Sequence, residues 1–316
     1  MKFLLFLLVP IYIFAQDPYT EAKSFMDKKD YIKAENVLKT LVKNSPNNLK
    51  AIELLGDAYG SQEKWDQAIE SYKKLVEAQP KTANFQYKHG GAMGMKALKV
   101  NKLHALTMID DIKEAFTTAA KLDSKHVETR WALVELYMQL PGIVGGSVDK
   151  AMLYANELQE ISKVDGYLAK GYIYEQEDDA ERAEKYYKNA ITIGGSMMCY
   201  EKLTDFYEKQ KEPLKAIENI EEAHTKHQRN ALHYQLGKVA AEYKISLDKG
   251  EICLITYIKN YNIADGVPIA WAHYRLAQIY KMKGNKENAL EHIDLAISDL
   301  PKIKTFKSEK EEIMKL

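Results

Sequence analysis

Apolar side chains return along most of this chain at the spacing of one helix face. The stretch from Leu49 to Pro80 shows it most clearly. Ile52, Leu55, Gly56 and Tyr59 fall at i, i+3, i+4 and i+7, which predicts one amphipathic helix. After the break Gly60-Ser61-Gln62, the residues Trp65, Ala68, Tyr72 and Leu75 predict a second, and Pro80 stops it. Gly56 lies in the interior of the first helix, where it costs about 1 kcal/mol relative to Ala. A residue with no side chain there lets the second helix lie close, and Ala68 does the same from the other side.

The two-helix pattern recurs. Ala34 and Ala68 stand 34 residues apart, as do Pro46 and Pro80, so a first unit runs from about Asp17 to Asn48 with a short first helix. A third unit starts at Ala83, with Gly90 and Met93 in first-helix positions and Ile112, Phe116, Ala119 and Leu122 in the second helix. Between them lie about ten extra residues, an insertion over 94–108 apolar enough to prolong a helix by about two turns. The fourth unit carries Val134 and Tyr137, then an inserted loop over 140–147, then Ala151, Ala155 and Leu158. Pro141, Gly142, Gly145 and Gly146 preclude helix in that loop, and Ser147 is a good N-cap for the helix carrying Ala151. A fifth unit (Gly171, Tyr174, Ala183, Tyr187) and a sixth (Thr204, Tyr207, Ala216, Ile220) are regular. The seventh is looser (Leu236, Gly237, Gly250, Leu254, Tyr257), and the eighth is clear (Ala277, Tyr280, Ala289, Ile293, Pro301). Residues 304–316 are charged, with Phe306, Ile313 and Leu316 able to face the last unit, and predict a capping helix over an otherwise open end.

With small, aromatic, Ala and Pro positions at Gly56, Tyr59, Ala68, Tyr72 and Pro80, the unit resembles the tetratricopeptide repeat, in its exported bacterial type. The resemblance implies an all-α fold: a right-handed superhelical solenoid of about eight helical hairpins over residues 17–303, closed by the capping helix. It also implies that the first helices line a concave side. On that register the first-helix residues not used for packing include Tyr87, Trp131, Tyr172, Tyr234, Lys238, Trp271, Tyr274 and Gln278, with Asn84, Glu135, Leu168 and Asp205 beside them. Tyr and Trp anchor interfaces with little loss of entropy, so the set reads as a protein-binding groove. Some members of the family clamp a terminal carboxylate with Lys and Asn from successive first helices. Here the corresponding places hold Glu53 and Asp57, which repel a carboxylate.

Charge and chemistry narrow the function. The 316 residues hold 45 basic and 45 acidic side chains, with no excess that points to nucleic acid or a membrane surface. Lys2 followed by an apolar run from Phe3 to Phe14 and then Ala15 has the outline of a signal peptide over residues 1–16, so a periplasmic or secreted protein with no membrane span after cleavage is expected. Cys199 and Cys253 fall on different helices and read as small buried hydrophobes rather than a disulfide. The loop over 140–147 lacks the Gly-Lys-Ser/Thr ending of a phosphate-binding loop, and His224, His227 and His233 have no carboxylate or Cys placed to complete a metal site. Asp110-Asp111 and Asp178-Asp179 read as helix caps. With no HExxH, GxSxG or Cys/His couple, no catalytic residue, metal or cofactor is indicated. The reading is an exported, non-catalytic scaffold that holds an extended or helical segment of an envelope or secreted protein. The alternative is a small-ligand or glycan receptor.

Overall fold

In the computed structural model residues 17–316 are described, and the expected export segment lies outside the described residues. Those residues form α-helices and two short 3-10 turns, with no strand among them. The chain divides into two compact units, one reaching to Tyr154 and one from Ala155 to Leu316. The first holds α1 (Pro18–Asp27), α2 (Tyr31–Asn44), α3 (Leu49–Gly60) and α4 (Trp65–Ala78). Then come α5 (Ala83–Ala97), α6 (Lys102–Leu122), α7 (Val127–Gln139) and α8 (Val148–Ile161), within which the division falls. The second unit continues with α9 (Lys163–Gln176), α10 (Ala180–Ile193), α11 (Met197–Lys209) and α12 (Pro213–His227). It ends with α13 (Asn230–Tyr243), α14 (Leu247–Lys259), α15 (Ile269–Met282), α16 (Lys286–Asp299) and α17 (Lys304–Met314).

Local chemistry sets where helices begin. Asp17, Asp30, Asn48, Asn101, Ser162, Asp179 and Asn285 each accept a hydrogen bond from the backbone N–H three residues on, a contact that stabilises a helix by about 0.5–2 kcal/mol. Ser147 does the same for α8, accepting from Lys150 N at 3.3 Å, as its sequence position predicts. Asp110 and Asp111 do not cap anything: α6 begins well before them, at Lys102, so both lie inside the helix and point to solvent. The insertion thus splits at a turn over 98–101 and makes α6 21 residues long. The loop over 140–147 holds a 3-10 turn, Gly142–Val144, and turns back through Gly145 at φ +96°, which a side chain rarely tolerates.

Helices as short as most of these are marginal alone, so burial between neighbours must hold them. Each unit provides it with alanines that are fully buried where helices cross, such as Ala34 and Ala68 in the first and Ala183, Ala216 and Ala289 in the second. A methyl at Gly56 would stand 2.5 Å from Tyr72 Cε1, and one at Gly237 2.3 Å from Leu254 Cγ, so these glycines are where second helices press closest. Cys199 and Cys253 are both free, the first buried and the second half-buried. At the end of the second unit, Phe306 and Ile313 of α17 are fully buried in the cluster that contains Tyr274, Leu276 and Ile293, which gives the C-terminal helix its capping role.

Candidate functional site

In the first unit the first helices of successive hairpins are α1, α3, α5 and α7. Glu53 and Asp57 stand one turn apart on α3, and both are taken up by α5. Asn84 Nδ2 donates to Glu53 at 2.9 Å, and Lys88 Nζ reaches Glu53 and both Asp57 oxygens at 2.8 Å. Tyr72, from α4, donates its hydroxyl to the same Asp57 at 2.7 Å. Burial works against the charge on Lys88, but the bonds to Asp57 and Glu53 outweigh it and its pKa is raised. Tyr87, beside Lys88 on the half-buried side of α5, has Phe116 and His126 rings at 6.1 and 5.2 Å. Burial and then the carboxylates of Glu128 and Glu135 push its hydroxyl pKa up, so it stays a neutral donor. Trp131 is half-buried and Glu135 exposed on α7.

The second unit repeats the device at every step. Glu175 of α9 meets Lys209 of α11 at 2.6 Å, Glu208 of α11 meets Lys238 of α13 at 2.9 Å, and Glu242 of α13 meets Arg275 of α15. Lys281 of α15 then meets Glu309 of α17. The first three pairs run carboxylate first, cation one repeat later, and the last reverses the order. Tyr187, from a second helix, donates to Glu175 at 2.6 Å as Tyr72 does to Asp57. Gln278 Nε2 donates to the Tyr274 hydroxyl at 2.9 Å, and Arg275 donates to Gln278 Oε1 at 2.9 Å. Burial opposes the charge on Lys238, yet Glu208 outweighs it and the pKa is raised. Exposed ion pairs contribute only about 0–1 kcal/mol each. The consequence of this row is therefore geometric: it fixes charged and amide groups of successive first helices at defined distances.

Of the residues expected to line the groove, Tyr234, Lys238, Trp271, Tyr274 and Gln278 come together in the second unit, with Tyr172 on α9 of the same unit; Tyr87 and Trp131 belong to the first. Tyr234 and Tyr274 are 8% and 6% exposed and belong to the core cluster, so their rings pack and only their polar ends lie near the surface. Trp271 is half-buried under the cap: its ring meets Phe306 at 4.9 Å edge-on, while Tyr274 stacks on Phe306 at 5.0 Å. Tyr172, Lys238 and Gln278 are half-buried.

Glu208, Glu242, Arg275 and Glu309 were not among the expected residues, although they join the others into one row. The signal for them is present in the chain: opposite charges separated by about one repeat on first helices.

Tetratricopeptide repeat family models match residues 25–89, 164–193 and 272–298. Among solved structures, the chain is similar to a tetratricopeptide repeat protein from Parabacteroides merdae ATCC 43184, at 17% identity over 94% of this chain and 99% of that one, with a TM-score of 0.48. It is also similar to a thermophilic TPR protein of Thermus thermophilus, at 13% identity over 61% of this chain and 97% of that one, with a TM-score of 0.50. The likeness to the Thermus protein is one of fold. MamA is 25% identical over 54% of this chain and 92% of its own, with a TM-score of 0.42. No curated protein matches the chain.

Proposed function

The chain is a tetratricopeptide repeat protein with the fold of a protein-interaction scaffold, and we propose that it is exported and holds an extended or helical segment of an envelope or secreted protein across its first helices. The observation that carries this reading is the row of ion pairs that joins α9, α11, α13 and α15 of the second unit one repeat at a time. Groups locked before a ligand arrives lose little entropy when it binds, and a repeat-spaced row suits a segment that spans several repeats. Lys238 and Gln278, with the accessible edges of Tyr172 and Trp271, supply the contacts in that unit; Tyr87 and Trp131 supply them in the first. Export is supported by Lys2 and the apolar run from Phe3 to Phe14. A non-catalytic role is in keeping with the repeat architecture.

The test is capture from an envelope fraction with wild type and Lys238→Gln, followed by affinity measurement on the recovered protein. Loss of this cation removes a contact offered to the partner and takes away the ion pair of Glu208, and should weaken binding about tenfold, or about 1.4 kcal/mol. Unchanged affinity for the same partner would remove this face from the account.

The receptor reading has one observation behind it, a cleft of about 420 Å³ between α10, α11 and α12, lined by Glu184, Leu203, Tyr207 and Asn219. A metabolite that raises the melting temperature with its concentration, and ceases to on Tyr207→Ala, would favour it.

A further inference from the structure

The hairpin of α5 and α6 differs from its neighbours in two ways. First, it is long: α6 has 21 residues where α2 and α4 have 14 each, so its N-terminal turns reach about 10 Å further at 1.5 Å per residue. Those turns and the end of α5 are apolar and uncovered, with Met95, Leu98, Leu103 and Leu106 exposed by 41%, 67%, 79% and 47%. Met95 lies in the last turn of α5 and Leu98 just past its end, and Leu103 and Leu106 share one face of α6. Large apolar side chains clustered in this way on one tip mark an interaction site rather than the scattered exposure of an ordinary surface.

Second, this run of the sequence is basic. From Ala78 to Ile109 the sequence contains no carboxylate but five lysines, in a chain whose totals are 45 and 45. Balance over the whole chain conceals this local excess. Lys88 is engaged with Glu53 and Asp57. Lys96 and Lys99 lean on Asp66 and Glu63, whose side chains are 77% and 65% exposed, so water screens both pairs. Lys102 is exposed at the start of α6, next to Leu103.

We propose that the tip of the α5–α6 hairpin docks on an anionic lipid surface, with Leu98, Leu103 and Leu106 entering the headgroup layer and Lys99 and Lys102 meeting lipid phosphates. A projecting tip with leucines at its end and lysines around them fits a surface that is negative outside and apolar beneath. A protein groove able to take the same leucines would have no need of the lysines.

The test places a reporter in the tip. Leu103→Trp in the full chain is compared with wild type, so that the emission of Trp65, Trp131 and Trp271 cancels, on vesicles of mixed phosphatidylglycerol and phosphatidylcholine and on phosphatidylcholine alone. The expected result is a blue-shifted difference spectrum, quenched by brominated acyl chains, on the anionic vesicles. Adding Lys99→Gln or Lys102→Gln should weaken the vesicle response about fivefold each. Leu98→Trp, at the other side of the tip, gives the same readout should Leu103→Trp fold poorly. Because the reporter senses only its own depth, binding through the apolar N-terminus leaves the spectrum unshifted and overturns the proposal. An equal shift on phosphatidylcholine, or a lipid-free shift that grows with protein concentration and shows self-association instead, overturns it too.

Discussion

At Gly171 the close approach of two helices turns on a single hydrogen atom. A methyl there would lie 2.7 Å from Tyr187 Cδ1 and Cε1, and Tyr187 cannot swing aside because its ring is buried and its hydroxyl is held by Glu175. Overpacking of this kind costs about 1–3 kcal/mol, which outweighs the gain of about 1 kcal/mol that Ala brings to a helix interior. Gly91, also inside a helix, has no atom within 4 Å of the same added methyl. Gly171→Ala should therefore lower the urea midpoint while Gly91→Ala raises it by about 0.5–1 kcal/mol in stability. Midpoints that move together would mean that packing at Tyr187 is not what demands glycine. The need for Gly56 was legible in sequence because a glycine amid helix formers conflicts with propensity. The turn residues were not: Lys29, Glu63, Asp178, Lys211 and Lys244 all adopt positive φ between the two helices of their hairpins, where Gly284 and, in the longer α7–α8 loop, Gly145 advertise it. Packing of the flanking helices imposes that conformation, and a lysine shows no local trace of it.

Among the elements, α15 and α16 are joined by a pair that responds to pH. His273 and His292 face each other Nδ1 to Nδ1 at 2.9 Å, and Tyr280 stacks on His292 at 5.4 Å. One imidazole must donate and the other accept, so the bond exists only while at least one ring is neutral. Burial, then the neighbouring His292, pushes the His273 pKa down to about 4, with Asp299 and Glu291 opposing. Burial also lowers His292, against Glu291 and Glu251. The folded value lies below the unfolded one, near 6.5. The stabilisation is therefore complete above that pH and is lost as pH falls from about 6.5 to about 4. Chemical denaturation across that window should show falling stability in the wild type and a flatter curve for His273→Leu; parallel curves would assign the acid loss to other groups. At lower pH the loss passes to Glu35, where bonds from Lys39, Lys64 and Gln62 outweigh burial and hold the carboxyl at about 2. At this scale the sequence predicted the hairpins and the terminal helix from apolar spacing together with the recurring Ala, Gly and Pro positions. It did not predict that the terminal helix covers Trp271. Helical register assigns a residue to a face, but what lies over that face at the end of an array depends on how the last helix docks.

For the whole molecule the sums cancel. The net formal charge is zero, and along the first helices of each unit the carboxylates are answered by cations from the next repeat, Asp57 by Lys88 and Glu242 by Arg275. A face neutralised in this way projects little field, so it cannot draw in a charged partner from a distance, and association should proceed without electrostatic steering. Raising the ionic strength from about 0.01 to about 1 M shortens the Debye length from about 30 to about 3 Å. A steered complex loses orders of magnitude in association rate over that range. Here the rate for a partner captured on the first-helix face should change by less than about tenfold. The α5–α6 tip is the exception, because Lys96 and Lys99 pair there with exposed carboxylates that water screens and Lys102 adds a further exposed cation; its attachment to anionic vesicles should weaken steeply over the same salt range. Stopped-flow association with the captured protein and vesicle titration, each across the salt series, separate the two. A steep slope for the protein partner would place its contact on the basic tip instead of the paired face, and a flat slope for the vesicles would leave the leucines without the charges argued to orient them.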